Sequence, residues 1–286
     1  MRRFIFIIII LTLLAVPFVW SRVVRPARTN LEQALYDGVV YQREVLEVPR
    51  EVVVHVTEID LTTPGIRFFV TPGQENDQFL GRTTTDFLNE FGVQLALNGS
   101  FYRFDRSDRD FLQPLGQTIS NGVVYTPSRR DWPVLCFGDD NAISIGAEQC
   151  PADTQHGLAG NVLLVNNGQQ VDLRRTYFPG RANSRRLEPR TAVALDESGQ
   201  TMWLVVVDGR RPGYSEGVTL AEFSQMLHEL GAHQAINLDG GGSSTLVRAG
   251  WLQPQTLNAP AAYPIVSQQR PIATHLGVYA PPLSQG

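Results

Sequence analysis

The segment DGGGSS at residues 239–244 places a carboxylate, three glycines and two serines in direct succession. Consecutive glycines allow positive φ angles or a close approach of the backbone to another group, and their N–H groups can bind an anion. The alternative is a plain glycine turn in which the aspartate caps nearby N–H groups. The residues predicted to form a site here are Asn237, Asp239, Gly240, Gly241, Gly242, Ser243 and Ser244.

Two further apolar runs end in a polar residue followed by glycine. The run VVV leads to Asp208, Gly209 and Arg210, and the run AL leads to Asn98 and then to GSFY. Carboxylates act as acids and bases at glycosidic bonds, and arginine binds phosphate through two parallel hydrogen bonds. Because strand ends on a common edge can meet in a pocket, we predict a site for a sugar that carries a phosphate.

All 24 basic residues of the 286-residue chain are arginines. A Schiff-base enzyme and a Walker A phosphate-binding loop both need lysine, so both classes are excluded. Five arginines and no acidic residue lie in residues 1–30, which leaves 19 arginines against 28 acidic residues in the rest. Binding of nucleic acid needs clustered positive charge, so we predict no nucleic-acid partner for so acidic a domain.

Residues 4–20 form an apolar run behind two arginines, with Thr12 as its one polar residue. As a helix this run would be about 25 Å long, which is near the thickness of a bilayer core. It ends in VWSR rather than in the small residues of a signal-peptide cleavage site. We predict an uncleaved membrane helix at residues 1–21, a membrane-proximal stem at 22–45 and one domain at 46–286 outside the cytoplasm.

Cys136 and Cys150 are the two cysteines of the chain, and they flank a predicted hairpin. Their spacing is compatible with one disulfide, which would stabilise the fold by about 3 kcal/mol in the chain-entropy model. Disulfides persist in oxidising compartments, in agreement with the predicted location. The alternative is a pair of buried thiols.

Short alternating or β-branched runs fill the rest of the chain and are separated by Gly, Pro, Asn and Asp, a pattern typical of strands. The predicted strands begin near residues 51, 66, 93, 161, 191, 201, 234 and 274. Two segments, residues 83–91 and 219–230, have helical periodicity. We predict an α+β fold: one β-rich domain with a few helices packed on the sheet, preceded by the membrane helix.

Several motifs, taken in order, resemble the phosphodiester glycosidase family, from about residue 93 to residue 279. They are NGSFY at Asn98, PRT at Pro189, DGR at Asp208, NLDGGGS at Asn237 and RPI at Arg270. Two positions depart from the family pattern. Ser100 replaces a glycine, which narrows the pocket, and Thr274 with His275 stands where the family has asparagine. Because of the second departure, we do not assign to this protein the substrate of any one family member.

The resemblance implies a hydrolase that cleaves a sugar–phosphate bond in a glycan or cell-envelope substrate, and anchored bacterial members are associated with exopolysaccharide. Asp208 and Asp239 would be the paired catalytic aspartates. Glu222 would be a third catalytic carboxylate or, alternatively, the capping residue of its helix, because it stands three residues after Thr219. The residues predicted to bind substrate are Asn98, Gly99, Ser100, Phe101, Arg190, Thr191, Arg210, Asn237, Gly240, Gly241, Gly242, Ser243, Ser244 and Arg270.

Two other functions fit the same residues. One is a non-catalytic glycan-binding module at the membrane surface, and the other is a metal-dependent phosphodiesterase. No cofactor or metal site is predicted, because the acidic residues lack regular metal-ligand spacing; a divalent cation held by Asp239 and Asn98 is the alternative. The pattern GYSEG around Ser215 resembles a nucleophile elbow, but Pro212 separates it from the preceding strand, which disfavours a serine nucleophile.

Overall fold

The computed structural model describes residues 25–74, 77–105, 110–139, 142–174, 176, 184–263 and 266–283. Within them the strands are β1 Leu31–Tyr36, β2 Val39–Leu46, β3 Val52–Asp60, β4 Arg67–Val70, β5 Phe79–Leu80, β6 Leu95–Asn98, β7 Tyr102–Phe104, β8 Phe111–Pro114, β9 Thr118–Ser120, β10 Val123–Thr126, β11 Val134–Phe137, β12 Ile143–Ile145, β13 His156–Ala159, β14 Val162–Asn166, β15 Gln169–Gln170, β16 Arg190–Leu195, β17 Thr201–Val207, β18 Gln234–Asn237, β19 Leu246–Arg248, β20 Gln255–Thr256 and β21 His275–Tyr279. The helices are α1 Thr84–Phe91 and α2 Leu220–Glu229.

An antiparallel sheet of eight strands, in the order β1-β2-β3-β17-β16-β18-β14-β15, forms the centre of the fold. Strand β17 explains why this sheet is covered on both faces. Its residues Leu204 and Val206 belong to one apolar core, and Trp203 and Val205 belong to another. Successive side chains of a strand point to opposite faces, so an unbroken apolar run requires cover on both sides. Helix α2 covers one face through Phe223 and its apolar neighbours.

A five-stranded sheet, β20-β19-β6-β21-β4, packs on the other face of the central sheet. Leu97 of β6 and Leu276 of β21 lie in the same core as Val206 of the central sheet. Helix α1 covers the outer side of the smaller sheet, where Phe87 contacts the cluster around Ala96. A second five-stranded sheet, β10-β9-β13-β11-β12, and a three-stranded sheet, β5-β8-β7, complete the domain.

Both predicted helices are present and begin with capping boxes. Thr83 caps α1 together with Asp86, and Thr219 caps α2 together with Glu222. In each box the threonine side chain accepts a backbone hydrogen bond, while the acidic side chain accepts one from the threonine N–H. These local signals fix the helix starts at the residues that the sequence indicated. The predicted β-rich domain with helices packed on the sheet is thereby confirmed.

We predicted a membrane-proximal stem at residues 22–45. From Leu31 onward the structure instead has the strands β1 and β2 of the central sheet. Val39 and Tyr41 are almost fully buried in the central core, and β2 pairs with β3 along its whole length. The sequence of β1 and β2 contains many polar residues and only a few buried apolar ones, so it has no clear alternation. The predicted membrane helix at residues 1–21 lies outside the described residues. Among the helices that are described, none has the length and apolar character needed to cross a bilayer.

The predicted disulfide is present between Cys136 of β11 and Cys150, with the two Cα atoms 5.6 Å apart. Both cysteines lie in a small apolar cluster with Trp132 and Ile119, and Phe101 packs against it. The disulfide therefore cross-links the cluster that contains Trp132 and contacts Phe101.

Replacing both cysteines by serine should lower the free energy of unfolding by about 3 kcal/mol, because the unfolded chain regains the entropy of the closed loop. Urea denaturation measures this change. Dithiothreitol should lower the free energy of unfolding of the wild type by a similar amount, and it should leave that of the double variant unchanged. A reduced wild type with an unaltered midpoint would contradict the prediction.

Candidate active site

The start of β16 and the ends of β17 and β18 meet at one edge of the central sheet. Arg190 pairs with Val207, and Ala192 pairs with Asn237, because both neighbours run antiparallel to β16. A cavity of about 420 Å³ opens at this edge. It is lined by Phe101, Tyr102, Leu115, Arg129, Trp132, Asn161, Ser184, Glu188, Arg190, Arg210, Leu220, Asn237, Leu238, Asp239, Gly240 and Gly241.

Asp239 presents a fixed carboxylate to this cavity. Its Oδ1 accepts a hydrogen bond from the Gly240 N–H at 2.9 Å, and its Oδ2 accepts one from the Ser243 hydroxyl at 2.5 Å. The guanidinium of Arg270 lies 3.7 Å from Oδ2. Only 14% of the side chain is exposed, and burial raises the pKa of Asp239 despite the opposing hydrogen bond from Ser243 and the charge of Arg270. A buried carboxylate with a raised pKa is a common feature of acid–base and nucleophilic sites.

Glu188 supplies a second carboxylate to the cavity, and the sequence analysis did not identify it. It forms an ion pair with Arg210 across the cavity rim. The guanidinium of Arg210 lies against Gly241, where an added Cβ would be 2.8 Å from the nearest nitrogen. Gly241 also has φ +61°, a left-handed conformation that favours glycine at this position. The one available sequence signal for Glu188 was its place directly before the Pro189 motif.

Arg190 is a buried cation on the cavity wall. Its Nε donates to the Val218 carbonyl at 3.2 Å, and a terminal nitrogen donates to the Arg186 carbonyl at 2.9 Å. Burial lowers the pKa of Arg190 to about 10, so the side chain remains positively charged at neutral pH. The cavity therefore combines two carboxylates with the guanidinium groups of Arg190 and Arg210.

Phe101 and Trp132 form an aromatic wall of the cavity, with ring centroids 5.8 Å apart and an edge-to-face angle of 82°. Trp132 has no distinguishing pattern in the sequence and was not predicted. Two polar atoms of lining residues, Trp132 Nε1 and Asn237 Oδ1, are buried and make no hydrogen bond with the described residues. Buried polar atoms normally have partners, so these two groups are buried at a cost in free energy.

Asn98 lies behind the cavity and holds the glycine-rich loop. Its Nδ2 donates to the Asp239 carbonyl at 2.6 Å, and its Oδ1 accepts from the Thr191 hydroxyl and the Thr245 N–H. The predicted substrate-binding residues that do not line this cavity are Asn98, Gly99, Ser100, Thr191, Gly242, Ser243, Ser244 and Arg270. Of these, Ser243 and Arg270 contact the Asp239 carboxylate directly.

Asp208 does not line the cavity. Its carboxylate is 1% exposed and accepts hydrogen bonds from His55 Nε2, from the Ala259 N–H and from the Asn258 amide. The same Asn258 amide also donates to the Ser244 carbonyl. The ionisable oxygens of Asp208 are therefore committed to contacts that hold the end of the glycine-rich loop from behind.

Glu222 likewise lies outside the cavity lining. Its carboxylate accepts hydrogen bonds from the N–H and hydroxyl of Thr219 and forms an ion pair with Arg50 at 2.6 Å. Of the two interpretations of Glu222, the structure shows the helix cap. Ser215, the serine of the GYSEG pattern, is fully buried and donates to the Asp208 carbonyl.

Metal ligands are not clustered in the described part of the chain, where no three His, Cys, Asp or Glu side chains are placed to hold an ion. The suggested pair of Asp239 and Asn98 does not converge on one point, because Asn98 uses its side chain to hold the backbone of the loop.

Known proteins show similarity over most of this fold. The bovine N-acetylglucosamine-1-phosphodiester alpha-N-acetylglucosaminidase is 32% identical over 178 residues, which cover 56% of this chain and 32% of the bovine protein. The chain thus matches about a third of the length of that relative.

Two solved structures resemble the fold. A hypothetical protein from Synechocystis superimposes with a TM-score of 0.70 at 17% identity, over 89% of this chain and 64% of the other. The catalytic domain of the zebrafish N-acetylglucosamine-1-phosphodiester alpha-N-acetylglucosaminidase, auto-inhibited by its pro-peptide, gives 0.60 at 21% identity, over 91% and 92%. At these identities the likeness establishes the fold alone.

The family model for phosphodiester glycosidases matches residues 91–279, which is well over half of the chain and includes every cavity-lining residue named above. The chain therefore belongs to the phosphodiester glycosidase family.

Proposed function

We propose that this protein hydrolyses the bond between a sugar and the phosphate of a glycosyl-1-phosphodiester. The observation that carries the proposal is the Asp239 carboxylate at a cavity that also contains the guanidinium groups of Arg190 and Arg210, with Arg270 beside it. A carboxylate can attack the anomeric carbon or activate water, while arginines neutralise the departing phosphate. The name of the bovine relative supports N-acetylglucosamine-1-phosphate diesters as the first substrates to test.

The second carboxylate of the reaction is Glu188 in this proposal, and Asp208 is a positioning residue. Glu188 lines the same cavity as Asp239, whereas Asp208 is enclosed by His55, Asn258 and Ala259. Glycosidases use two carboxyl groups that flank the scissile bond, so both must reach the substrate. The sugar would pack on the ring of Phe101, which lines the cavity.

The proposal is tested by incubating the purified domain with a methyl diester of N-acetylglucosamine 1-phosphate in ¹⁸O-labelled water. We expect free N-acetylglucosamine that carries the label. Label in the phosphate product would instead indicate a phosphodiesterase that cuts at phosphorus. Saturable binding without any product would indicate a glycan-binding module.

Glu188→Gln should lower kcat/KM for this diester by about a hundredfold, because the amide can neither transfer a proton nor hold Arg210 as an ion pair. Steady-state kinetics measure the change, and thermal unfolding shows whether the variant is folded. A folded variant with wild-type turnover would remove Glu188 from the reaction.

We also propose that the domain acts outside the cytoplasm, tethered by an uncleaved helix within residues 1–21. The disulfide between Cys136 and Cys150 supports an oxidising compartment. Mass spectrometry of the membrane fraction should find a protein that retains residues 1–21. A mature N-terminus near residue 22 would show that the helix is removed.

A further inference from the structure

A cavity of about 760 Å³, here called the distal cavity, lies at the other end of the central sheet from the candidate active site. Its first lining residues follow Asp60 of β3, which pairs with Thr201 at the start of β17. The active-site end of β17 is Val207, which pairs with Arg190. The 7 residues of β17 span about 20 Å, and no described residue lines both cavities. The distal cavity is therefore separate from the active site.

Two sheets form the walls of the distal cavity. Phe69 of β4 and Tyr279 of β21 belong to the smaller five-stranded sheet, and His156 of β13 belongs to the second five-stranded sheet. The rings of Phe69 and His156 meet edge to face with centroids 5.2 Å apart, so the two sheets are in contact here. The volume of the cavity lies within the range of small-molecule sites, about 300 to 1,000 Å³.

His156 supplies a hydrogen-bond donor of fixed position. Its Nδ1 accepts hydrogen bonds from the backbone N–H groups of Val70 at 3.4 Å and Asn121 at 3.3 Å. Burial lowers the pKa of His156 to about 4, so the ring is neutral at pH 7 and carries its proton on Nε2. Nε2 has no acceptor among the described residues and is not one of their enclosed polar atoms. This N–H is therefore available to a ligand in the cavity.

Two side-chain amides lie beside this donor. Gln155 directly precedes His156, and Asn121 donates its backbone N–H to the same ring. Both residues line the cavity, and neither side-chain amide makes a hydrogen bond within the part of the chain that the structure describes. An amide both donates and accepts hydrogen bonds, which matches the hydroxyl groups of a sugar.

The charges of the lining disfavour the other classes of ligand. The charged side chains among the described lining residues are Arg67 and Asp139, whose charges cancel, and the Arg67 guanidinium lies 4.8 Å from the ring centre of Tyr279. An anion would be repelled by the Asp139 carboxylate. An apolar chain would bury both amides and the histidine N–H without partners. A neutral sugar ring can bond to these groups and pack its apolar face on Phe69.

We propose that the distal cavity is a second, non-catalytic glycan site, which binds a neutral oligosaccharide through Asn121, Gln155, His156 and Phe69. A glycan bound there keeps its other segments close to the protein and so raises their effective concentration at the active site. The binding itself does not depend on hydrolysis, so this site stands apart from the proposed function.

Calorimetric titration with maltotetraose, cellotetraose and chitotetraose tests the proposal. We expect saturable binding of at least one of them to the wild type. The double variant Asn121→Gly with Gln155→Ala should bind that sugar at least tenfold more weakly, because two hydrogen-bonding amides are lost. Glycine at 121 accommodates φ +50° and keeps the N–H that donates to His156. Phe101→Ala, in the active site, should leave this affinity unchanged.

Asn167→Gly is the matched control. Asn167 also has φ +50°, also precedes a glycine and lies outside the described lining of both cavities, so this variant should bind as the wild type does. Thermal unfolding shows whether each variant is folded.

The site would be overturned if none of the three sugars bound, or if the folded double variant kept wild-type affinity. Loss of binding in Phe101→Ala would place the sugar in the active site instead. A hyaluronan tetrasaccharide, which is acidic, that bound more tightly than every neutral sugar would overturn the assignment to a neutral glycan. Failure of the proposed function is seen separately, as absence of diester hydrolysis by the wild type, and does not alter these binding results.

Discussion

Asp239→Asn should reduce kcat/KM for a glycosyl-1-phosphodiester by about a thousandfold, with most of the loss in kcat. The amide keeps the shape of the side chain: its oxygen can still accept the hydrogen bond from the Gly240 N–H, and its NH2 group can donate to the Ser243 hydroxyl in place of the bond that the carboxylate accepts. It cannot attack the anomeric carbon or take a proton from water. Steady-state kinetics of the purified variant measure the effect.

The same substitution should leave the protein folded and more stable at neutral pH. Burial raises the pKa of Asp239, so ionisation disfavours the folded state, and the wild type loses this part of its stability as the pH rises through the raised pKa. Asparagine does not ionise. We expect a higher thermal midpoint for the variant at pH 7 and a difference that disappears at pH values below the ordinary pKa of aspartate.

The raised pKa of Asp239 also predicts how the wild-type rate depends on pH. If Asp239 acts as a carboxylate, kcat/KM falls as the pH drops through its raised pKa, earlier than for an ordinary aspartate. Glu222→Gln is the matched control, because it alters a carboxylate outside the cavity and glutamine can still serve in a capping box. Wild-type turnover in Asp239→Asn would contradict the catalytic role of Asp239. An inactive variant with a lowered thermal midpoint would indicate that the substitution disrupts the glycine-rich loop.

Asp208→Ala should lower the free energy of unfolding by about 3 to 5 kcal/mol. The substitution leaves the His55 ring, the Ala259 N–H and the Asn258 amide without their acceptor, and all three residues are at most 2% exposed. Buried hydrogen-bond donors without an acceptor destabilise the folded state, because they have lost their bonds to water and gained no partner. Urea denaturation gives the change directly, and a thermal midpoint lowered by about 10 °C is the expected companion result.

Two milder variants separate structure from catalysis at this position. Asp208→Asn retains an acceptor for Ala259 and should keep measurable activity, unlike Asp239→Asn. Tyr41→Phe leaves Asp208 in place and removes the Tyr41 hydroxyl, which hydrogen-bonds His55 Nδ1 at 2.7 Å and the Leu257 carbonyl at 3.4 Å. This variant should lower the free energy of unfolding by about 1 kcal/mol. A stable Asp208→Asn protein with activity as low as that of Asp239→Asn would restore Asp208 to the catalytic pair.

Local patterns were sufficient to predict much of the framework. The apolar run of β17, the helix over residues 83–91, the capping box at Thr219 and the spacing of Cys136 and Cys150 all correspond to observed features. Each depends on residues close together in the chain, where geometry is nearly fixed by backbone period and hydrogen-bond reach. The strands missed at the N-terminal side are β1 and β2. In β2 only Val39 and Tyr41 are buried, and most of its other residues are polar or only partly buried, so its pairing with β3 was decided by the rest of the sheet.

By itself, the sequence determined the β-rich fold, the membership of the family and the place of Asp239 in a glycine-rich turn. The tertiary structure alone decided which carboxylates face the cavity. Asp208 is turned into the protein by His55, 153 residues away, and by Asn258, whereas Glu188 is held at the cavity rim by Arg210. The direction of a polar side chain is set by hydrogen-bond partners that folding brings from distant segments, and no local spacing encodes those partners.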